Sequence, residues 1–228
     1  MRLLAVETST DACSAALLDG TELLLRLELA PREHTRLILP MLDSLLEEAG
    51  LGLDRIDAIA YGQGPGSFTG VRIAAGVVQG IAFAADLPVV AVSTLAAMAQ
   101  ATLDERDVDG VLPALDARMG EVYWGAYARD PGGHATVIVE DCVVPPDDVP
   151  GPGTGRWLGV GSGWGRYAQE LTTRLAGIEV IAHDAAVYPH AGSVARLGAY
   201  AYQNGRVLRP EQAQPSYLRN RVAEKPGT

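Results

Sequence analysis

Residues 3–29 read LLAVETSTDACSAALLDGTELLLRLEL, three apolar runs separated by two polar breaks. Leu3–Thr8 is extended and apolar, and Thr8-Ser9-Thr10-Asp11 supplies side chains that hydrogen-bond their own backbone in turns. Cys13–Leu18 resumes the run, Asp19-Gly20 is a two-residue hairpin signal, and Leu23–Leu29 gives a third strand. A helix is expected over Arg32–Ala49, entered through Pro31 and closed by Gly50. Asp57–Tyr61 reads as a strand, Ser67 as the N-cap of a helix reaching about Ala85, Pro88–Val92 as a strand, and Thr94–Leu103 as a helix. The order is βββαβαβα. The second half opens the same way, with strands at Val111–Asp116, Glu121–Ala128 and Thr136–Val144. After the Pro- and Gly-dense loop 145–155 come a strand at Trp157–Val160, a helix at Trp164–Ala176, a strand at Ile178–Ile181 and a helix at Gly192–Gln203. Two successive meanders, each followed by alternating helices and strands, predict a duplicated α/β unit with mixed sheets flanked by helices.

Composition narrows the function. The chain has 228 residues and a formal net charge of −10, with 18 basic residues against 28 acidic ones. An independent nucleic-acid binder needs a basic footprint to displace counterions, and none is present. Lys225 is the sole lysine, which excludes a Walker-type GK[ST] phosphate loop. Cys13 and Cys142 stand alone, without the CxxC spacing of a thiolate zinc site, and read as small core residues in a reducing compartment. The start reaches Glu7 too soon for a signal-peptide core. The stretch Ile81–Val92, read as the most apolar, is interrupted by Asp86 and Pro88, short of the roughly 20 residues of a membrane span. A cytoplasmic protein is expected.

Few side chains form a catalytic pattern. Gly62-Gln63-Gly64-Pro65-Gly66-Ser67 runs into a helix start, where backbone amides favour anions. It fails GxGxxG, and a tight strand-to-helix turn explains the same residues. Gly159-Val160-Gly161-Ser162-Gly163 also fails it, and Val160 breaks the GxSxG elbow. The histidines 34, 134, 183 and 190 never take the i, i+4 spacing of a helical metal pair. His34, in the first helical turn, reads as a partly exposed surface residue. Glu7 ends the first strand, where a nuclease-type sheet places a metal ligand, but Asp57 and Asp116 make a thin supporting set.

The helices are more informative. From 67 to 85, only Arg72 and Gln79 are strongly polar beyond the first turn, and Gly70, Ala74, Ala75, Gly76, Gly80 and Ala84 are small. The preceding helix carries a wide stripe of Leu37, Ile38, Met41, Leu42, Leu45 and Leu46. A helix apolar nearly all round is enclosed by its own chain or shared with another subunit.

Four strings together, Leu4-Ala5-Val6-Glu7-Thr8-Ser9, Glu33-His34-Thr35, GPGSFTGVR over 64–72 and Pro215-Ser216-Tyr217-Leu218-Arg219, closely resemble the bacterial TsaB (YeaZ) family. The resemblance runs from the first strand to the tail. It implies an actin-like fold of the sugar-kinase and chaperone-ATPase type, built from two ribonuclease-H-like lobes, here divided as 1–103 and 104–228 with the C-terminal segment packing back on the first. It also implies a noncatalytic scaffold that supports TsaD, with the ATPase TsaE, in placing threonylcarbamoyl on the adenosine beside the anticodon of tRNAs that read codons beginning with A. TsaD holds its metal with a His-x-x-x-His pair just after a strand. Thr94 and Met98 stand at the matching positions, and a hydroxyl and a thioether do not replace two imidazoles for a hard catalytic metal. The resemblance therefore places the metal and threonylcarbamoyl-adenylate on TsaD and ATP on TsaE, with no cofactor bound tightly here. Thr8, Ser9, Thr10, Gly64, Gly66 and Ser67 become a vestigial phosphate loop. His34, Leu37, Ile38 and Met41 on the first helix, with Val71, Ala74, Ala75 and Val78 on the second, become the expected contacts with TsaD or, in isolation, with a second copy. tRNA is reached only through the complex. The competing readings are a metal-dependent, glycoprotease-like hydrolase and a small-molecule kinase of the same fold.

Overall fold

The computed structural model describes residues 1–219. Strands β1 (Arg2–Glu7), β2 (Ala12–Asp19) and β3 (Glu22–Leu29) form the expected meander. Helix α1 (His34–Ala49), strand β4 (Ala58–Gly64), helix α2 (Phe68–Ala85), strand β5 (Val89–Ser93) and helix α3 (Thr94–Glu105) follow. The first sheet has the order β3-β2-β1-β4-β5, antiparallel across the meander and parallel from β1 through β5. The second half repeats it: β6 (Gly110–Arg118), β7 (Glu121–Arg129), β8 (Ala135–Val144), β9 (Arg156–Val160), α4 (Ser162–Arg174), β10 (Glu179–Asp184) and α5 (Ala191–Gln203). Its sheet runs β10-β9-β6-β7-β8, the same topology as the first. The duplication expected from element order is therefore present in the strand order of both sheets.

Strand side chains alternate between faces. Leu4, Val6, Ile59 and Tyr61 meet α1 and α2 on one face of the first sheet, while Leu3, Ala5, Ala58 and Ala60 meet α5 on the other. In the second sheet, Leu112, Ala114 and Trp124 face α4, whereas Val111, Leu115 and Tyr127 face α3. The layers are α1 and α2, first sheet, α5 with α3, second sheet, α4. The central helices are exchanged, since α3 leaves the first sheet to cover the second and α5 returns to cover the first. The expected division at 103/104 falls in the last turn of α3. That point separates the sheets, yet each sheet takes one covering helix from the other half, so neither half encloses its own core.

Local signals explain the element ends. Ser67 Oγ accepts from Gly70 N at 3.0 Å and caps α2, as its position predicts, and Ser93 Oγ accepts from Leu95 N and Ala96 N and caps α3. Gly50, in the left-handed region at φ 64°, ends α1. Helix α2, with 18 residues, is long and apolar enough by composition to cross a membrane, which the reading of 81–92 as the most apolar stretch overlooked. Here its inner side packs against the sheet through Ala74, Val78 and Ala82.

Candidate functional site

The end of β1 meets the heads of α2 and α3, and the residues expected to form a phosphate loop converge there. Glu7, Thr8 and Ser9 are all buried. Glu7 Oε1 accepts from Ser9 N at 2.6 Å, and the Thr94 hydroxyl lies 3.2 Å from Glu7 Oε2 and 3.2 Å from Ser9 Oγ. Burial pushes the Glu7 carboxyl above its ordinary pKa, against the opposing pull of the Ser9 and Thr94 hydrogen bonds. The Glu7 carboxyl, the Thr94 hydroxyl and the Ser9 hydroxyl thus form one contiguous buried polar group.

The glycine loop faces this cluster, and its Ser67 and Gly70 amides point inward. Ser67 N donates to Ser9 O at 2.7 Å, Thr8 Oγ1 donates to Gly70 O at 2.8 Å, and Gly70 N is held by Ser67 Oγ. A Cβ on Gly62 would overlap the Glu7 carboxylate, and one on Gly70 would overlap Thr8 O. The glycines thus let two strand ends and a helix interlock. Thr8, Ser9, Gly64, Gly66 and Ser67 do come together, and Thr10 lies at the rim, where its carbonyl accepts from His34 Nε2 at 2.8 Å. Amides spent on internal partners are poor phosphate ligands.

Thr94 and Met98, one helical turn apart, are both fully buried. Thr94 faces Glu7, and the Met98 methyl packs where a side chain on Gly161 would have to sit. Neither atom set is a hard-metal donor pair. Among the described residues, no group of three or more His, Cys, Asp or Glu side chains is placed to hold a metal ion.

A second polar cluster was not anticipated. A register shift between Trp124 and Ala126 marks a bulge in β8, and it aims Asp141 at the head of α3. Ser93 Oγ donates to Asp141 Oδ2 and Tyr127 OH donates to Asp141 Oδ1, each at 2.5 Å. Burial raises the Asp141 carboxyl and, together with the adjacent Asp141 charge, holds the Tyr127 phenol well above its usual value. The group ties the end of β5 to the second sheet.

The side chains expected to contact a partner are buried within this chain. Leu37, Ile38, Met41, Ala74, Ala75 and Val78 are all buried in the core between α1, α2 and the first sheet, and Val71 is buried too. His34 is also buried rather than partly exposed, because its ring bonds the β1–β2 turn. The apolar stripe of each helix is the inward face, so these eight side chains are not a free surface. The outward face of α2 carries a different set. Half-buried Ile73 and Val77 lie with exposed Gly76, Gly80 and Phe83, spaced three or four apart along one side. Phe83 is 78% exposed, and nothing lies within 4 Å of where a Cβ on Gly76 or Gly80 would stand. On α1, Leu39 is 49% exposed. The small residues of α2 were visible in the sequence; which side they faced was not.

Comparison with known proteins places this architecture. The family described as TsaD, tRNA N6-adenosine threonylcarbamoyltransferase, matches residues 28–162. The tRNA threonylcarbamoyladenosine biosynthesis protein TsaB of Escherichia coli K12 is 41% identical over 228 residues, covering 99% of this chain and 97% of that protein. TsaB of Haemophilus influenzae is 40% identical over 233 residues, covering 99% and 96%. The solved structure of YeaZ from Pseudomonas aeruginosa superposes with a TM-score of 0.89 at 45% identity, covering 95% of this chain and 99% of that one. With agreement in sequence and topology over nearly the whole chain, and the actin-like two-sheet architecture shared with the solved relative, this chain belongs to the TsaB (YeaZ) family, a paralogous branch of the TsaD-type proteins.

Proposed function

We propose that the chain is the noncatalytic partner of a TsaD-type threonylcarbamoyltransferase in cytoplasmic tRNA modification, working with the ATPase TsaE. The observation that carries this reading is the Glu7–Ser9–Thr94 cluster. At the junction where the paralogue resemblance puts a metal pair, this chain has a buried hydroxyl and a buried thioether, and the neighbouring Ser67 and Gly70 amides are already bonded. Its contribution is a surface rather than a reaction. The outward side of α2, with Gly76 and Gly80 open and Phe83 protruding, suits close approach of another helix, from TsaD in the complex or from a second copy in isolation. The charge of −10 fits a subunit that leaves the grip on tRNA to others.

Reconstitution tests this. The purified chain, TsaD and TsaE are combined with tRNA, ATP and threonylcarbamoyl-adenylate, and modified adenosine is measured by mass spectrometry of nucleosides. Modification is expected when TsaD and this chain are both present and absent with this chain alone. Transfer by the chain alone, or full transfer without it, overturns the proposal. Chelator-sensitive peptide hydrolysis or ATP-dependent phosphorylation of a small molecule by the isolated chain would instead favour the hydrolase or kinase reading.

A further inference from the structure

The C-terminal segment touches both halves of the molecule. Leu208 pairs with Val89 on the outer edge of β5, and Ala213 is buried in the core beside α1 and α2. Tyr61 OH then donates to Gln214 O at 2.8 Å, and Ser216 N donates to Gln63 O at 2.8 Å, which lays the chain along the end of β4. Tyr217 meets the head of α2: the Arg72 guanidinium lies 4.9 Å from the Tyr217 ring centroid and 3.2 Å from that of Phe68. Two residues later the chain has crossed to the second sheet. Arg219 donates to Ala117 O at 3.1 Å, pairs with the Glu121 carboxylate and lies 3.6 Å from Met119 Sδ. These three residues flank and form the turn between β6 and β7. Arg118 and Met119 hold φ of 63° and 55° there, an unfavourable conformation for non-glycine residues that needs support from its surroundings.

Two-lobed folds commonly close by hinge motion around a ligand that contacts both lobes. Here a covalent segment makes the contacts to both. We propose that residues 213–219 form a strap that holds the two sheets in one relative orientation, with Arg219 as its clasp on the β6–β7 turn and the Arg72–Tyr217 stack as its anchor. The strap gives the chain a fixed shape without a bound nucleotide or substrate. Because the anchor stands at the head of α2, that helix is presented from a single fixed frame. The proposal concerns the isolated chain and stands apart from any reading of its partners.

The test uses the full chain with Cys142→Ser, spin labels on Asp43→Cys in α1 and Arg174→Cys in α4, and pulsed electron–electron distance measurement across the molecule. The parent should give one narrow distance distribution. Arg219→Ala should broaden it at least twofold, and Tyr217→Ala combined with Arg219→Ala should broaden it further, with the helical circular dichroism of the parent retained. A distribution of unchanged width in both variants overturns the strap. Broadening accompanied by loss of helical signal overturns it as well, because Arg219 would then be a folding residue rather than a tie between the two sheets.

Discussion

The Thr94 hydroxyl stands 3.2 Å from Glu7 Oε2, and that contact joins the end of the first strand to the head of the helix that covers the opposite sheet. Thr94 opens α3, whose body packs on the second sheet, while Glu7 closes β1 at the centre of the first. The contact therefore belongs to the seam between the halves. A carboxyl with no water access is tolerable there only if neutral or fully bonded. Hydrogen bonds from Ser9 and Thr94 favour its charged form, and burial outweighs them and raises its pKa.

Glu7 and Asp141 make stability depend on pH in a defined direction. Burial raises both carboxyls in the folded state above their ordinary values of 4.5 and 3.8. The folded chain then binds more protons than the unfolded one, so stability falls as pH rises from those unfolded values through the folded ones. Glu7→Gln keeps the shape and an acceptor for Ser9 N without the ionisation. Urea midpoints across pH 4 to 8 should fall less steeply for Glu7→Gln than for the parent. Identical slopes would mean that Glu7 is ionised in the folded chain.

The glycines separate packing from docking. At Gly70, a Cβ would overlap Thr8 O, a backbone atom that cannot retreat without breaking the interlocked loops. Gly70→Ala should cost about 3 kcal/mol or more by overpacking. Gly76, with open space around it, should behave oppositely: Gly76→Ala should stabilise the isolated chain by about 1 kcal/mol through helix propensity. Thermal and urea unfolding of the two variants checks both signs.

The unequal legibility of the sequence has a physical basis. Turn chemistry is local, so Asp19-Gly20, the Ser67 cap and Gly50 announced their elements correctly. Burial is not local. With helices on both sides of each sheet, β1 reads LLAV without alternation, and nothing in that run says that Leu4 faces α2 while Leu3 faces α5. The same holds for α3, buried on almost every side, whose composition cannot say which sheet it covers. His34 resembled a surface residue because its partner, the Thr10 carbonyl, comes from a turn 24 positions away. Asp141 was invisible because only the bulge in β8 turns it inward. The stripe on α1 and α2 reads as exposed for a related reason: the strongest apolar stripe on a helix is the one the chain itself buries.

Ser93 links helix capping to the seam. Ser93→Ala removes the acceptor for Leu95 N and Ala96 N and one of the two donors that satisfy Asp141. The expected loss is about 2 kcal/mol, a cap together with part of a buried carboxyl's partners. Asp141→Asn should recover part of that loss in the Ser93→Ala background, since a neutral amide tolerates the missing donor better than a carboxylate. A double-mutant cycle from urea melts checks this, and simple additivity would show that the two groups act independently.

The two sides of α2 should respond differently to charge. Ala74 is fully enclosed between α1 and the first sheet, so Ala74→Glu places an unpaired carboxylate in the core and should unfold the chain, at a cost of several kcal/mol. Phe83 is 78% exposed, and the same charge introduced by Phe83→Glu remains in water in the isolated chain. Its circular dichroism and melting temperature should stay near those of the parent. If the outward side of α2 receives TsaD, the Phe83→Glu charge is buried only on association, and co-elution with TsaD in size-exclusion chromatography should fail, as should threonylcarbamoyl transfer in the reconstituted mixture. Gly80→Glu, one turn away on the same side, should give the same result with an equally folded chain. Normal co-elution of both variants with TsaD would move the docking surface off this helix, whereas a folded Ala74→Glu would show that the core packing of α2 is wrongly placed.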